Sequence, residues 1–255
     1  MNSPVVAVVS PKGGTGKTTV AVNLAAALAA ETPTVLMDMD LENGNVEYAL
    51  RLHPAHRLPE IAHRLLAPTS PSTQADLSMM LTPVCSGLQV LCAPGDHASA
   101  TEISPTECRN LITCLGTLKQ PLVIDTSAGI NDFQIEAMDA ATHVALVSTT
   151  DVASVHAGQR LLDIATAAGL SPDRIHLVVN RSDARHGLTT ADVVAVLGLP
   201  LWLEIPENLD LAATSNLGAP LRLIDPNAAI SLRFSHYATQ ILGRTPSHPR
   251  RRRFL

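Results

Sequence analysis

One stretch near the start of the chain confines it to a narrow set of folds. Val5 to Val9 is an apolar run, Lys12-Gly13-Gly14-Thr15-Gly16-Lys17-Thr18-Thr19 is rich in glycine, and Val20 to Ala30 carries a helical pattern. A buried strand, a glycine-rich loop and a helix N-terminus in that order make a cradle for an anion. The glycines let the backbone curl so that successive N–H groups face one phosphate, and the helix dipole adds to the attraction. Lys17 then reaches the β- and γ-phosphates, and the Thr18 hydroxyl takes a place on a magnesium ion. Gly13, Gly14, Thr15, Gly16, Lys17, Thr18 and Thr19 are therefore the candidate nucleotide-binding residues, with ATP and Mg2+ as the expected ligands.

Beyond the loop, strand and helix signals alternate. Thr34 to Met37, Leu88 to Cys92, Leu122 to Ile124, Val144 to Ser148, Ile175 to Val179 and Leu201 to Ile205 are short apolar runs. Helical patterns lie at Asp151 to Ala168, Thr189 to Leu197 and Asn227 to Leu242, with Gly169 and Gly198 as stops. The rhythm predicts an α/β fold: a mostly parallel twisted sheet with helices on both faces, binding its ligand outside the carboxyl ends of the strands. Ala67 to Thr82, rich in Ser, Thr and Pro, reads as a surface loop. A single domain over residues 1–243 and a basic tail over 244–255 are expected.

Composition agrees. The 255 residues are 46% hydrophobic, with three Phe, two Tyr and one Trp, which suits aliphatic strands packed against helices. A net charge of −5 argues against a broadly basic nucleic-acid surface. Cys85, Cys92, Cys108 and Cys114 have no C-x-x-C spacing, so reduced thiols in a cytoplasmic protein are expected rather than a metal site. The N-terminus runs straight into the first strand and does not read as a targeting segment.

Carboxylates cluster at predicted strand ends. Asp38 and Asp40 follow the second strand; two residues apart in extended chain, they point the same way and can face the metal and the attacking water. Asp125 ends the apolar run Leu122-Val123-Ile124 and is delivered toward the metal. Asp132 reads as a helix N-cap. Asn180, at the end of a late strand, can pair with an adenine edge through one donor and one acceptor. In the tail, Arg250 to Leu255 offers four arginines and two apolar residues, which read as a disordered solubilising segment, as a contact for anionic lipid to which each cation contributes about 1 kcal/mol, or as a contact for nucleic acid. Pro246 and Pro249 keep it from forming a long amphipathic helix.

K-G-G-x-G-K-[ST]-T, with Pro11 where the ordinary phosphate loop has its first glycine, resembles the deviant Walker A motif of the MinD/ParA superfamily. That resemblance implies a P-loop NTPase of the SIMIBI, MinD-like type that forms a homodimer on ATP binding. Lys12 is implied to reach the partner subunit's nucleotide, so that Lys12, Lys17 and Asp40 act in catalysis. Asp40 would orient the water, while Asp38 would support the metal through water, beside Thr18 and Asp125. Asp125-Thr126-Ser127-Ala128-Gly129-Ile130 is similar to the family's second switch. Asn180 matches the asparagine that contacts the base, with Arg181 beside it and Pro206 at the turn of the base pocket. Asp38 to Val46 and Asn180 to Leu188 also resemble segments of CpaE/TadZ pilus-assembly ATPases.

The implied function is a slow, partner-stimulated Mg-ATP hydrolase that positions pilus or secretion, division or flagellar machinery. It would be cytoplasmic, or peripheral at the inner membrane or a cell pole. A ParA-type DNA partitioning ATPase is the alternative, although nucleic acid is not favoured by the charge. A small-molecule ligase or kinase would need a polar pocket beside the γ-phosphate, for which the sequence offers no residue set. A cluster-bearing reductase would need cysteine between Asp125 and Phe133, where there is none.

Overall fold

The computed structural model describes residues 3–66, 74–183 and 187–244. In chain order the elements are β1 (Val5–Val9), α1 (Lys17–Ala29), β2 (Thr34–Met39), α2 (Val46–Ala49), α3 (Leu58–Leu66) and α4 (Gln74–Met80). There follow β3 (Thr82–Cys85), β4 (Leu88–Leu91), α5 (His97–Ala100), α6 (Pro105–Gly116), β5 (Leu122–Thr126), α7 (Asp132–Ala140) and β6 (His143–Thr149). The last are α8 (Val152–Ala167), β7 (Ile175–Asn180), α9 (Thr190–Leu197), β8 (Leu201–Ile205), α10 (Leu209–Leu217), α11 (Leu221–Ile224) and α12 (Ala229–Ile241).

The eight strands form one sheet in the order β3-β4-β2-β5-β1-β6-β7-β8. Every pairing is parallel except β3 with β4, as expected for a sheet wound through helical crossovers. Alternation along the strands divides the core in two. Val6 and Val8 join Leu36, Val123, Ala145, Val147 and Val178 on the face covered by α1 and α12. Ala7 and Val9 join Met37, Ile124, Leu146, Leu177 and Val179 on the face covered by α3, α6, α7, α8 and α9. Both faces are buried, which is why the strands read as continuous apolar runs rather than alternating ones.

The predicted strands all form, most of them one or two residues longer than their apolar runs because polar residues complete them. Two expectations are corrected. Residues 74–82 are not loop: α4 occupies Gln74–Met80 and buries Leu77 and Met80, while residues 67–73 lie outside the described part. The cap of α7 is Asn131, whose side chain accepts from the Gln134 amide at 2.9 Å, and Asp132 is the first helical residue. All four cysteines are free; Cys92 and Cys108 are buried, Cys114 is partly buried and Cys85 is exposed. The tail beyond Arg244, with Arg250 to Leu255, also lies outside the described residues. Among those that are described, no helix is long and apolar enough to cross a membrane.

Candidate nucleotide site

The sheet brings the phosphate loop and the candidate residues at the strand ends to one edge. The phosphate loop follows β1, Asp38 and Asp40 lie at the end of β2, Asp125 near the end of β5, Asn180 at the end of β7 and Pro206 just after β8. All are carboxyl ends of parallel strands, where such sheets hold ligands.

Gly16 opens α1 with φ 93°, a left-handed conformation, and no side chain caps the helix. Its first N–H groups are left for an anion. A Cβ on Gly16 would stand 2.4 Å from the Asn180 amide nitrogen. That amide donates to the Thr15 carbonyl at 2.8 Å, and its oxygen accepts from the Arg181 amide at 3.1 Å. Asn180 thus braces the phosphate loop, with one N–H and one oxygen lone pair to spare. Asn180, Arg181 and Pro206 line a cavity of about 160 Å³ with Gly16 and Thr19, so the three predicted base-pocket residues do converge. Arg181 is held at φ 54°, an uncommon conformation for a residue with a side chain.

Lys17, the first residue of α1, is buried. Burial lowers its pKa, against the pull of Asp125 and Asp40, which face it. Asp125 is fully enclosed, and neither of its oxygens has a hydrogen-bond partner. Burial raises its pKa, while the Thr18 hydroxyl and Lys17 nearby oppose the rise without closing a bond of regular geometry on it. In the β2–β5 register Asp38 stands directly beside Asp125. It is likewise fully enclosed, and burial followed by repulsion from Asp125 pushes its pKa well up. Its oxygens accept from the Asp40 amide at 3.1 Å and the Val46 amide at 3.0 Å. Asp40 is only partly buried; that burial raises its pKa, and Asn43 N–H and Lys17 hold the rise back.

The donor set suits a magnesium ion bound beside a phosphate. An enclosed carboxylate with two unsatisfied oxygens next to a threonine hydroxyl is costly when the facing Lys17 closes no bond on it, and a cation or its bound water at those oxygens would offset that cost. Among the described residues no three His, Cys, Asp or Glu could hold a metal by themselves. Mg2+ bound mainly by phosphate and water needs no such cage.

Lys12 sits at the rim, with its Nζ 2.7 Å from Asp151 Oδ1. Asp151 caps α8 through the Ser154 amide and accepts from the Thr149 hydroxyl. Partial burial alone would raise its pKa, but Lys12, Thr149 and Ser154 together hold it at about 2. Asp151 carried no motif in the sequence and was legible only as a helix start.

Fold and loop together define a P-loop nucleotide-binding α/β protein. The chain belongs to the CobQ/CobB/MinD/ParA nucleotide binding domain family, which it matches over residues 6–221. It is a member of the MinD/ParA superfamily, which includes ATPases. It is 28% identical to the septum site-determining protein MinD of Thermotoga maritima over 246 residues, 94% of this chain and 88% of that protein. Its fold is similar to that of a ParA family ATPase from Chlorobium tepidum, with a TM-score of 0.84 at 21% identity, covering 92% of this chain and 98% of that one. It is also similar to MinD of Pyrococcus horikoshii complexed with Mg-ADP, with a TM-score of 0.80 at 22% identity, covering 94% and 96%.

Proposed function

We propose that the chain is a Mg-ATP-dependent switch that dimerises on ATP and hydrolyses it slowly until a protein partner stimulates it. Its output is regulated occupancy of a cellular assembly such as division, pilus or secretion, or flagellar machinery, rather than a chemical product. The observation that carries this reading is the convergence of Lys17, Asp40 and the unpartnered Asp125 on the phosphate loop. The backbone amides of Gly13 to Thr19 bind the phosphates, and Lys17 neutralises them from a dry position where its charge is poorly screened. Mg2+, held by Thr18 and faced by Asp125, would offset the charge on the β- and γ-phosphate oxygens. Asp40, whose raised pKa suits a proton acceptor, orients the water in line with the γ-phosphate. Asp38 serves the metal site chiefly through the order of the loop that carries Asp40. Asn180, Arg181 and Pro206 enclose the base. Lys12 leaves Asp151 to neutralise phosphate on the second subunit, which makes turnover depend on dimerisation. The platform is a membrane surface touched through the Arg250–Leu255 tail, a polar protein, or, less favoured by the net charge, the nucleoid.

The test is light scattering and ATP turnover with Mg-ATP, comparing the parent with Lys12→Ala. The parent should double in mass and the variant should remain monomeric, hydrolysing at a small fraction of the parental rate. A variant that dimerises as well as the parent would contradict the account. One observation favours a second reading. A cavity of about 430 Å³ lined by Asp40, Asn43, Ser127, Asn131 and Phe133 has room for a small second substrate, as a ligase or kinase would need. Turnover that required such a substrate, with no mass change on ATP binding, would support that reading instead.

A further inference from the structure

The loop that carries Asp40 is held from outside the nucleotide site by a pair of residues that belongs to none of the motifs. Arg57, just ahead of α3, reaches across to α2. Its Nη1 lies 2.6 Å from Glu47 Oε2 and its Nη2 lies 3.0 Å from Glu47 Oε1, a two-pronged contact. The same Nη1 donates to the Ala93 carbonyl, at the exit of β4, at 3.2 Å. The two side chains are only 26% and 22% exposed, so water screens the pair less than it would a free surface pair. A Cβ on Gly95 would stand 3.0 Å from Arg57 Nε, so the guanidinium is walled in on the β4 side as well.

Further contacts tie this fork to Asp40. The Val46 amide, next to Glu47, donates to Asp38 Oδ2, and the Asp40 amide donates to Asp38 Oδ1. Between them Gly44 is pressed onto the β4 exit, where a Cβ would meet Ala93 Cβ at 2.4 Å and Asp38 Oδ2 at 3.1 Å. Residues 40–46 are therefore a closed loop, fastened at Asp38, wedged at Ala93 and clamped at Glu47. Asp40 itself has little hold on its surroundings, accepting one hydrogen bond from the Asn43 amide at 3.2 Å. Its direction is set by the loop.

We propose that Arg57 and Glu47 are positioning residues, whose fork fixes the 40–46 loop so that the Asp40 carboxylate faces Lys17 and the phosphate loop. The proposal deepens the ATPase reading above and rests on it. A planar guanidinium can grip both carboxylate oxygens and a carbonyl at once, which fixes orientation as well as distance; an ammonium cannot. Orientation is what a water-directing carboxylate requires. A loop that wanders loses rate at the chemical step while the phosphates remain bound by the amides of residues 13–19.

The experiment compares the full chain with Arg57→Lys, Glu47→Gln and the double variant. It measures steady-state ATP hydrolysis and, without nucleotide, hydrogen exchange of the Val46 amide. Each single variant should lower kcat about tenfold or more while KM for ATP stays within about twofold. The double variant should be no worse than the poorer single one, since the two residues act as a unit. Exchange at Val46 should quicken about tenfold in each. The proposal is overturned if kcat is unchanged, if KM rises in step with the fall in kcat, or if the losses add. A parent with no Mg-dependent ATP hydrolysis would refute the ATPase reading instead. Val46 exchange then decides the fork, and a rate unchanged in Arg57→Lys would overturn it.

Discussion

Asp125 has no partner, and that has a consequence for stability. Its folded pKa lies above the ordinary carboxylate value because burial penalises the charge. Raising pH from about 4 therefore ionises the unfolded chain first and draws stability away from the folded one. Asp125→Asn removes that penalty. Without nucleotide at pH 7.5, the variant should be about 2 kcal/mol more stable than the parent, read as a higher Tm. It should also lose the further Tm increase that Mg-ATP gives the parent. A variant less stable than the parent would mean that the carboxylate is compensated within the protein and that no cation is needed. This residue was legible in the sequence because it ends an apolar run downstream of a phosphate loop. Asp151, Glu47 and Arg57 were not, because each acquires its partner through the fold: Lys12 and Asp151 are 139 residues apart. No local spacing records such a meeting.

At the scale of elements, β7 and the phosphate loop are joined by one amide. Asn180 has its nitrogen on the Thr15 carbonyl and lies where a Cβ on Gly16 would collide with it. Asn180→Ala leaves a buried loop carbonyl unsatisfied and should cost about 1–2 kcal/mol by denaturant unfolding. It should also weaken ATP and GTP binding alike, because the loop that holds the phosphates loses its brace. If only the preference for ATP over GTP changed, the amide's task would be base reading alone. The parallel strands were legible, since burial on both faces leaves an unmistakable apolar run, whereas the antiparallel edge strand β3, half-exposed at Thr82–Cys85, was not. Helices were legible where a full face repeats, as in α8 and α12. In α4 Leu77 and Met80 mark the buried side, and the Ser- and Pro-rich residues before the helix read as loop. The start of α6 is written locally, as Ser104 and Glu107 form a reciprocal cap around Pro105. Ser104→Ala should lower stability by about 1 kcal/mol in thermal unfolding while leaving ATP binding unchanged.

Across the whole molecule the two ends of the sheet respond to pH with opposite sign. At the amino ends of β6, β7 and β8, buried His176 stacks on Trp202 with ring centroids 3.9 Å apart, and His143 and Tyr237 pack beside it. Burial, with a smaller contribution from His143, lowers the His176 pKa from 6.5 to about 3. Between those values the unfolded chain binds the proton and the folded one does not. Stability from this group is complete above pH 6.5 and is lost as pH falls, by about 1.4 kcal/mol per pH unit well inside the window. At the carboxyl edge Asp125 and Asp38 do the reverse, since their raised pKa values make the folded state keep protons that the unfolded state has released. The parent should therefore show a shallow stability profile between pH 4.5 and 6.5, two slopes partly cancelling. Removing one group should tilt the profile toward the opposite sign. Unfolding by urea across that range should give a ΔG that falls less with pH than the parent's in Asp125→Asn, where Asp38 still opposes His176, and falls more with pH than the parent's in His176→Gln. Because the groups stand at opposite ends of the sheet, the shifts should add in the double variant. Parallel profiles for parent and both variants would mean that neither group is held away from its ordinary protonation by the fold.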